Sequence, residues 1–347
     1  MNILQVGAGN FGTRHLEAWK RLGLVDHLWV AECQEDRRQV ARGAGVPAER
    51  LVQDLAAAIN QVDVVDLVTP TTSHFELCRQ ALEAGKDVFV EKPMALTSDE
   101  ARQLVELADR SRCLIQVGFS YRYHPAAQRL KAEIQRGTLG PLRYLSGAFM
   151  GFKRARTDVG VMHTDGIHFL DLFNWWLDCS PTQVYAVCKD HFGRGLDDLS
   201  IALLTYPAGT VAKVESGYLQ PGRWNDRVVP GAMTTKEVTV VGEQATAEID
   251  FEAATVILHD IHHECRNGIW VPILNGSTPI AVESCDPIQM ICRELAAFLE
   301  AVQTRHPPLP GPVESGVNLA VLMECLYESS RRGEAMAVEG LSPARSE

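Results

Sequence analysis

The sequence has no excess of positive charge: 44 acidic side chains outnumber 33 basic ones, giving a net charge of −11 at pH 7. Nucleic acid and anionic membrane surfaces are thereby excluded as main partners, because both need a concentrated basic face. No apolar run approaches the roughly 20 residues of a membrane-spanning helix. The N-terminus opens on a strand-like apolar segment without the basic n-region or cleavage site of a signal peptide, so the expected location is the cytoplasm. Nine cysteines, at positions 33, 78, 113, 179, 188, 265, 285, 292 and 325, are dispersed with no C-x-x-C pair. This argues against structural zinc and against a disulfide framework, and for free, mostly buried thiols. Internal repeats and low-complexity tracts are missing as well. At 347 residues of ordinary composition, two domains with cores of their own are expected.

What is present begins at Asn2-Ile-Leu-Gln-Val, an apolar segment that runs straight into Gly7, Gly9 and Gly12, spaced G-x-G-x-x-G. Leu16, Trp19 and Leu22 follow as one face of a helix. Glycine first permits a tight strand-to-helix turn, glycine second lets a pyrophosphate approach the backbone, and glycine third lets helix and strand pack closely. The helix N-terminus then offers its partial positive charge to the phosphates. A second apolar run, Leu28 to Ala31, ends in Glu32, about twenty residues on, where this fold places an acid on the adenosine ribose. Glu32 points to NAD. Arg37 and Arg38 keep NADP open, since either lies close enough along the chain to attract a 2′-phosphate.

Downstream the pattern alternates, as a doubly wound parallel sheet requires. Asp36 to Ala44 reads as a helix, Leu51 to Ile59 repeats that pattern, and Val62 to Val68 is an apolar strand ending at Thr69-Pro70. Ser73 to Ala84 is a helix with Gly85 at its end. Asp87 to Val90 leads into Glu91-Lys92-Pro93, Ser98 to Ala108 opens with a Thr/Ser-plus-acid start, and Leu114 to Phe119 supplies one more strand. Beyond Tyr123 and a helix over 126–136, the character changes. Successive β-rich segments at 142–152, 183–187, 200–206, 210–218, 237–241, 246–250 and 255–259 predict an open, mostly antiparallel sheet, with hairpin turns at Pro207-Ala-Gly and Gly242-Glu-Gln. Two helices, 287–303 and 313–332, flank a Pro-rich break at 306–312, and a frayed tail follows Gly340.

Parallel sheets place ligands at the carboxyl ends of their strands. Thr69-Pro70, Glu91-Lys92-Pro93 and Gly118-Phe119 all follow strand ends, which makes Lys92 a candidate for holding a substrate oxygen, against the plain alternative of a surface lysine at a turn. A second group, Thr164, Asp165 and His168, clusters at the start of a helix whose other side is apolar. His168 is the candidate general acid–base, because an ordinary imidazole titrates near neutral pH. His163, Asp165 and His168 as metal ligands, or as caps and a satisfied core histidine, are the alternatives; no metal is expected. Lys153, Arg154 and Arg156 either grip an anionic substrate group or form a solvated loop. His259-Asp-Ile-His-His-Glu-Cys reads as a solvated turn.

Taken together, the residues at 6–12, Thr69-Pro70 with His74, Glu91-Lys92-Pro93, Gly118-Phe119 with Arg122 and Pro125, and Gly166-Ile-His168 with Asp171 resemble the glucose–fructose oxidoreductase, inositol dehydrogenase and MocA family over nearly the whole chain. The resemblance implies an α/β protein with an N-terminal Rossmann domain at 1–122. It also implies a C-terminal substrate and oligomerisation domain at 123–347, whose large open sheet makes a homodimer or homotetramer and whose last helix packs back on the first domain. It implies NAD- or NADP-dependent hydride transfer at a secondary hydroxyl or ketone of a sugar, cyclitol or sugar nucleotide. It carries Lys92 over as the lysine of the Glu-Lys-Pro motif and His168 as the acid–base. Cofactor contacts then fall at Gly7, Gly9, Asn10, Phe11, Gly12, Glu32, Thr69, Pro70, His74, Glu91, Lys92 and Arg122. Substrate contacts fall at Lys92, Tyr123, Arg154, Arg156, Asp165 and His168. Members commonly carry an aspartate four residues before the histidine. Here Thr164 holds that place, with Asp165 displaced by one, so Asp165 or Thr164 is the expected catalytic support. Arg156 to Val161 also looks like the segment of members acting on UDP-linked amino sugars. A non-catalytic NAD(P) sensor and a biliverdin- or dihydrodiol-type reductase are the competing functions.

Overall fold

The computed structural model describes residues 1–306 and 313–341, so the Pro-rich break from 307 and the tail from 342 lie outside the described residues. The chain forms two compact units, residues 1–123 with 286–320, and 124–285 with 321–347. The first begins with β1 (Ile3–Val6), α1 (Gly12–Arg21), β2 (Leu28–Ala31), α2 (Glu35–Gly43), β3 (Leu51–Val52), β4 (Val64–Leu67), α3 (His74–Glu83), β5 (Asp87–Glu91), α4 (Ser98–Ser111) and β6 (Ile115–Gly118). Every residue of β1, β4, β5 and β6 is buried, as expected for strands covered on both faces. The sheet is parallel throughout, in the order β3-β2-β1-β4-β5-β6. That order reverses between β1 and β4, so the turns leaving those strands open the crevice in which such sheets hold ligands. α4 starts on a capping box, Thr97 with Glu100, and Gly85 takes the left-handed conformation (φ 71°) just past α3.

The second unit holds α5 (Pro125–Gln135), β7 (Leu142–Phe152), α6 (Ile167–Leu177), β8 (Gln183–Lys189), β9 (Leu199–Thr205), β10 (Val211–Gly217), β11 (Trp224–Asn225), β12 (Met233–Gly242), β13 (Thr246–Asp250), β14 (Thr255–Arg266) and β15 (Ile269–Ile280). It is closed by the later turns of α8 (Val313–Arg332) and by β16 (Met336–Ala337). The strand order is β15-β14-β13-β12-β7-β10-β9-β8-β16, with β11 paired to β12. β7 and β10 run parallel and the other pairs antiparallel. Alternation along β8, β9, β10 and β12 buries one set of side chains. α6 covers part of that face: a Cβ on Gly147 would stand 2.7 Å from the Phe169 ring, so only glycine admits the helix here.

Four expectations are corrected. Leu51 to Ile59 is not a helix: β3 uses its first two residues at the sheet edge, and only a single helical turn forms at 59–61. His259 to Cys265 is not a turn but the middle of β14, which continues past β13 and pairs alone with β15 as an exposed two-stranded ribbon. Because both faces of that ribbon meet solvent, its sequence carries no alternation, and β15 escaped notice. Third, residues 286–320 cluster with the first unit, where a single break had put everything after 122 in the second domain. The reason is the apolar stripe of α7 (Pro287–Thr304): Ile288, Ile291, Leu295, Phe298 and Val302 join Leu16, Trp19 and Phe89 in one buried core. Finally, the nine thiols are all free, but only Cys78 and Cys285 are fully buried. Among the described residues, no helix is long and apolar enough to cross a membrane.

Candidate active site

In the first unit the site starts at the turn after β1. Gly7 sits at φ 98°, and a Cβ there would stand 2.6 Å from the Val68 carbonyl oxygen. A Cβ on Gly12 would stand 2.4 Å from the Gly7 carbonyl oxygen. Any side chain at either position would push the turn open, so the cradle exists only because both are glycine. The buried Gln5 side chain braces the turn from below by donating to the carbonyls of Gly7 (2.8 Å) and Gly12 (2.9 Å). α1 carries no acid in its first turn, so its positive end remains available to phosphate. Asn10 and Phe11 complete the turn between Gly9 and α1.

Glu32 follows β2 and turns back to this loop. Its Oε2 accepts the Ala8 amide at 2.9 Å and its Oε1 the Gln34 amide at 2.9 Å. Burial works to raise the carboxyl, but those amides, Cys33 and Arg37 outweigh it and hold the group below the usual carboxylate range. The Arg37 guanidinium reaches the same turn, 3.6 Å from where a Cβ on Gly9 would be.

The strand-end turns are tied together by His74, which is buried with its two ring nitrogens 2.9 Å from the Thr69 carbonyl and 2.8 Å from the Pro93 carbonyl. Thr69 also accepts the Ser73 hydroxyl at 2.8 Å. His74 thus joins the Thr69-Pro70 segment to the end of Glu91-Lys92-Pro93, a bracing place not visible from spacing. Arg122 is likewise buried, its guanidinium 5.2 Å from the Phe119 ring centre and donating to Ser315 at 2.9 Å. Tyr123 is buried too, its phenol receiving the Gln116 amide at 3.4 Å. Behind the Glu91 end of β5 lies a group that sequence reasoning missed. His15 of α1 is fully buried, with Nδ1 3.0 Å from Asp66 and Nε2 3.3 Å from Glu91, and Trp19 donates to Asp66 at 2.8 Å. The available signal was Asp66 itself, a charge inside the apolar run of β4.

In the second unit the chain enters α6 through a wide turn, Met162–Gly166, in which the Ile167 amide reaches back five residues to the Met162 carbonyl. Such π-turns are frequent at functional sites. Gly166 makes the turn feasible, since a Cβ there would stand 2.1 Å from Met162 Sδ. Thr164 bonds the Gly160 carbonyl at 2.8 Å. Asp165 is buried and holds Lys153 at 2.6 Å, both side chains nearly free of solvent. Its second carboxylate oxygen is buried without a hydrogen-bond partner. His168 is half-buried with its ring 6.2 Å from that of Phe149. Two cations approach the Phe149 ring, Lys153 Nζ at 4.6 Å and Lys236 Nζ at 5.0 Å from its centre.

Of the basic trio read either as gripping an anionic substrate group or as a solvated loop, Lys153 pairs with the buried Asp165, Arg156 pairs with Asp158 at 2.8 Å, and Arg154 is exposed. Asp165, Thr164 and His168 do share one helical entry. Among the described residues, no three His, Cys, Asp or Glu side chains converge as a metal-holding group.

A glycine cradle on a parallel sheet with a carboxylate at the end of β2 defines a dinucleotide-binding fold. The family described as "Oxidoreductase family, NAD-binding Rossmann fold" (GFO/IDH/MocA) matches residues 1–119, and the GFO/IDH/MocA C-terminal domain matches residues 127–248. The chain belongs to this family of oxidoreductases with an NAD-binding Rossmann fold. It is 28% identical to UDP-N-acetylglucosamine 3-dehydrogenase of Acidithiobacillus ferrooxidans, across 87% of this chain and 88% of that one. It is 27% identical to D-apiose dehydrogenase of Paraburkholderia graminis, a match spanning 61% of this chain and 59% of that protein's length. A levoglucosan dehydrogenase solved with NADH and levoglucosan superposes with a TM-score of 0.83 over 98% of this chain and all of that one, at 19% identity, and so shares the fold.

Proposed function

We propose that the protein moves a hydride between NAD and a secondary hydroxyl or ketone of a sugar, cyclitol or sugar nucleotide, with His168 and Lys92 acting on the same carbinol. NAD supplies the hydride acceptor or donor when bound. Gly7, Gly9, Asn10, Phe11 and Gly12 cradle its phosphates and Glu32 takes its adenosine ribose. His168 removes or returns the hydroxyl proton, and Lys92 steadies the developing alkoxide with its charge. Asp165 stands three residues before His168 as the supporting carboxylate, with Thr164 fixed to the backbone beside it. Thr69, Pro70, His74, Glu91 and Arg122 hold the strand-end turns, and Tyr123, Arg154 and Arg156 complete the substrate surroundings. The observation that carries the reading is Asp165: a buried carboxylate oxygen without a donor, one turn from an acid–base histidine, suits a substrate hydroxyl. A panel of UDP-N-acetylglucosamine, scyllo-inositol, D-xylose, D-apiose and levoglucosan, followed by NADH absorbance, tests it. No substrate-dependent change with any of them would remove the proposal.

Glu32 favours NAD over NADP because its carboxylate would repel a 2′-phosphate that Arg37 alone would attract. Glu32→Ala is expected to weaken NAD binding by about tenfold and to raise the NADP-to-NAD preference, read as the ratio of kcat/KM values. An unchanged ratio would confine Glu32 to bracing Ala8 and Gln34.

A homodimer or homotetramer forms through the open sheet of the second unit. Tyr185 and Leu203 are paired neighbours on β8 and β9, Val211 and Tyr144 are paired on β10 and β7, and each is at least a third exposed. Contiguous apolar surface of this kind marks an interaction site. Leu203→Glu with Tyr185→Glu should lower the mass measured by light scattering by at least half, whereas an unchanged mass would place the interface elsewhere. Nine free thiols suit the reducing cytoplasm.

A further inference from the structure

Past their last support from β13, at the pair Thr246 and His259, β14 and β15 continue as a ribbon of two strands only. Its pairs run from Ile261 with Leu274 to Arg266 with Ile269, and Asn267 and Gly268, at φ 53° and 79°, make the two-residue turn at its tip. At roughly 3.4 Å per residue the ribbon reaches about 20 Å beyond that support. A two-stranded hairpin standing alone is at best marginally stable in water.

Side chains of paired strands alternate between two sides. Both formal charges of the ribbon, Glu264 and Arg266, lie on one side and bond each other at 2.8 Å. On that side His262, Val271 and Ile273 are half-buried. The other side carries Ile261, His263 and Cys265 opposite Leu274, Pro272 and Trp270. All six are exposed, Trp270 by 68% and Leu274 by 74%. The uncharged side therefore meets solvent more fully than the charged one, the reverse of what a free hairpin would favour.

What covers it follows from the register. Tyr144 pairs with Val241, Val241 with Thr246, and Thr246 with His259. Directly paired residues share a side, and β14 alternates without interruption from His259 to Ile261 and Cys265, because the extra residue of the bulge, Asn275, belongs to β15. The uncharged side of the ribbon thus continues the outer sheet face that holds Tyr144, Val211, Leu203 and Tyr185. Both surfaces are apolar, and between copies of a chain with a net charge of −11 uncharged ground is where contact meets least repulsion. Edge-on pairing is disfavoured, since β15 is the edge strand and carries Pro272 and Pro279. A ribbon about 20 Å long and about 10 Å wide offers about 200 Å², so two arms on two copies bury about 800 Å² in all, half of a standard interface of roughly 1,600 Å². The arm therefore adds to the sheet contact and does not replace it.

Resting on the assembly described above, we propose that the β14–β15 ribbon is an arm that lays Ile261, Cys265, Trp270 and Leu274 on the outer sheet face of a second copy of this chain. Two-fold symmetry makes the exchange reciprocal, each copy giving an arm and receiving one.

The test uses the full chain with Cys33→Ser, which leaves Cys265 as the one exposed thiol among the described residues. In the associated protein Cys265 should react with a maleimide at least tenfold more slowly than in the dissociated variant Leu203→Glu with Tyr185→Glu. Trp270→Ser with Leu274→Ser should raise the dissociation constant, read by light scattering over a dilution series, at least tenfold. NADH affinity should hold, since the glycine cradle belongs to the other unit. Equal thiol rates in associated and dissociated protein, or a dissociation constant within twofold of wild type, would overturn the arm and leave the sheet interface standing. The thiol rates are read on an intact ribbon, so they decide the matter even where the substituted ribbon unfolds. A wild type that is monomeric throughout, or an unchanged mass in the sheet variant, would remove the proposed assembly first and the arm with it.

Discussion

His168→Ala is expected to lower kcat by about 10²–10⁴-fold, the usual worth of a positioned proton-transfer group. The affinity for NADH should stay within about twofold, because Gly7, Gly12 and Glu32 belong to the first unit and His168 to the second. Lys92→Ala should fall into the same range of kcat, since a lysine that stabilises an alkoxide acts on the transition state and not on the resting substrate. The two losses should not add. If proton transfer and charge stabilisation serve a single carbinol, removing either disables the step, and the double variant should be little worse than the poorer single one. kcat and kcat/KM should decline together in each case, the mark of an interaction made only in the transition state. Turnover above about a tenth of wild type in both single variants would show that proton and charge are handled elsewhere.

What could be read from the chain follows from the range over which each feature acts. The glycine turn, the approach to Glu32 and the strand ends carrying Thr69, Lys92 and Gly118 are local devices, and each lies next to the strand the sequence assigns it. α7 and α8 were legible to within a residue or two, because their stripes repeat at helical spacing. The ribbon of β14 and β15 was not, since a two-sided solvated strand has no period to detect. Tyr327 and Asp197 were invisible for another reason: Tyr327 stands 164 positions from His163 and 130 from Asp197, both of which it bonds, and nothing in local spacing encodes such a pairing. Thr164 and Asp165 illustrate a subtler limit. Counting back from His168 assumes a turn of 3.6 residues, whereas the turn here is wider, so sequence separation alone does not say which side chain stands beside the imidazole. Gly160 and Gly166 were the signal, because each removes a Cβ that would collide with the turn.

Between pH 7 and 9 the protein should lose stability more steeply than a His15→Gln variant, by about one proton's worth, or roughly 1.4 kcal/mol per pH unit. His15 is wholly buried, and burial alone would favour the neutral ring. Asp66 and Glu91 reverse this through charge and hydrogen bonding and lift the imidazole to about 10. In the unfolded chain the same ring titrates near 6.5. A folded value above the unfolded one means that the native state binds the extra proton, so the stabilisation is complete below about pH 6.5 and gone above about pH 10. Urea unfolding at intervals over that range checks it, with the other titrating groups cancelling between the two proteins. His15→Gln keeps a donor for one carboxylate but no charge, so it should begin less stable at pH 6 by several kcal/mol and approach the wild type as the pH rises. Asp66→Asn should remove part of the same slope, since Glu91 alone then holds the imidazolium. Because Glu91 precedes Lys92 and His15 stands three residues past Gly12, this proton also ties the lysine's turn to the helix that follows the glycine cradle. Parallel stability curves for wild type and His15→Gln would mean that the imidazole is neutral in the fold and that this tie is an uncharged hydrogen bond.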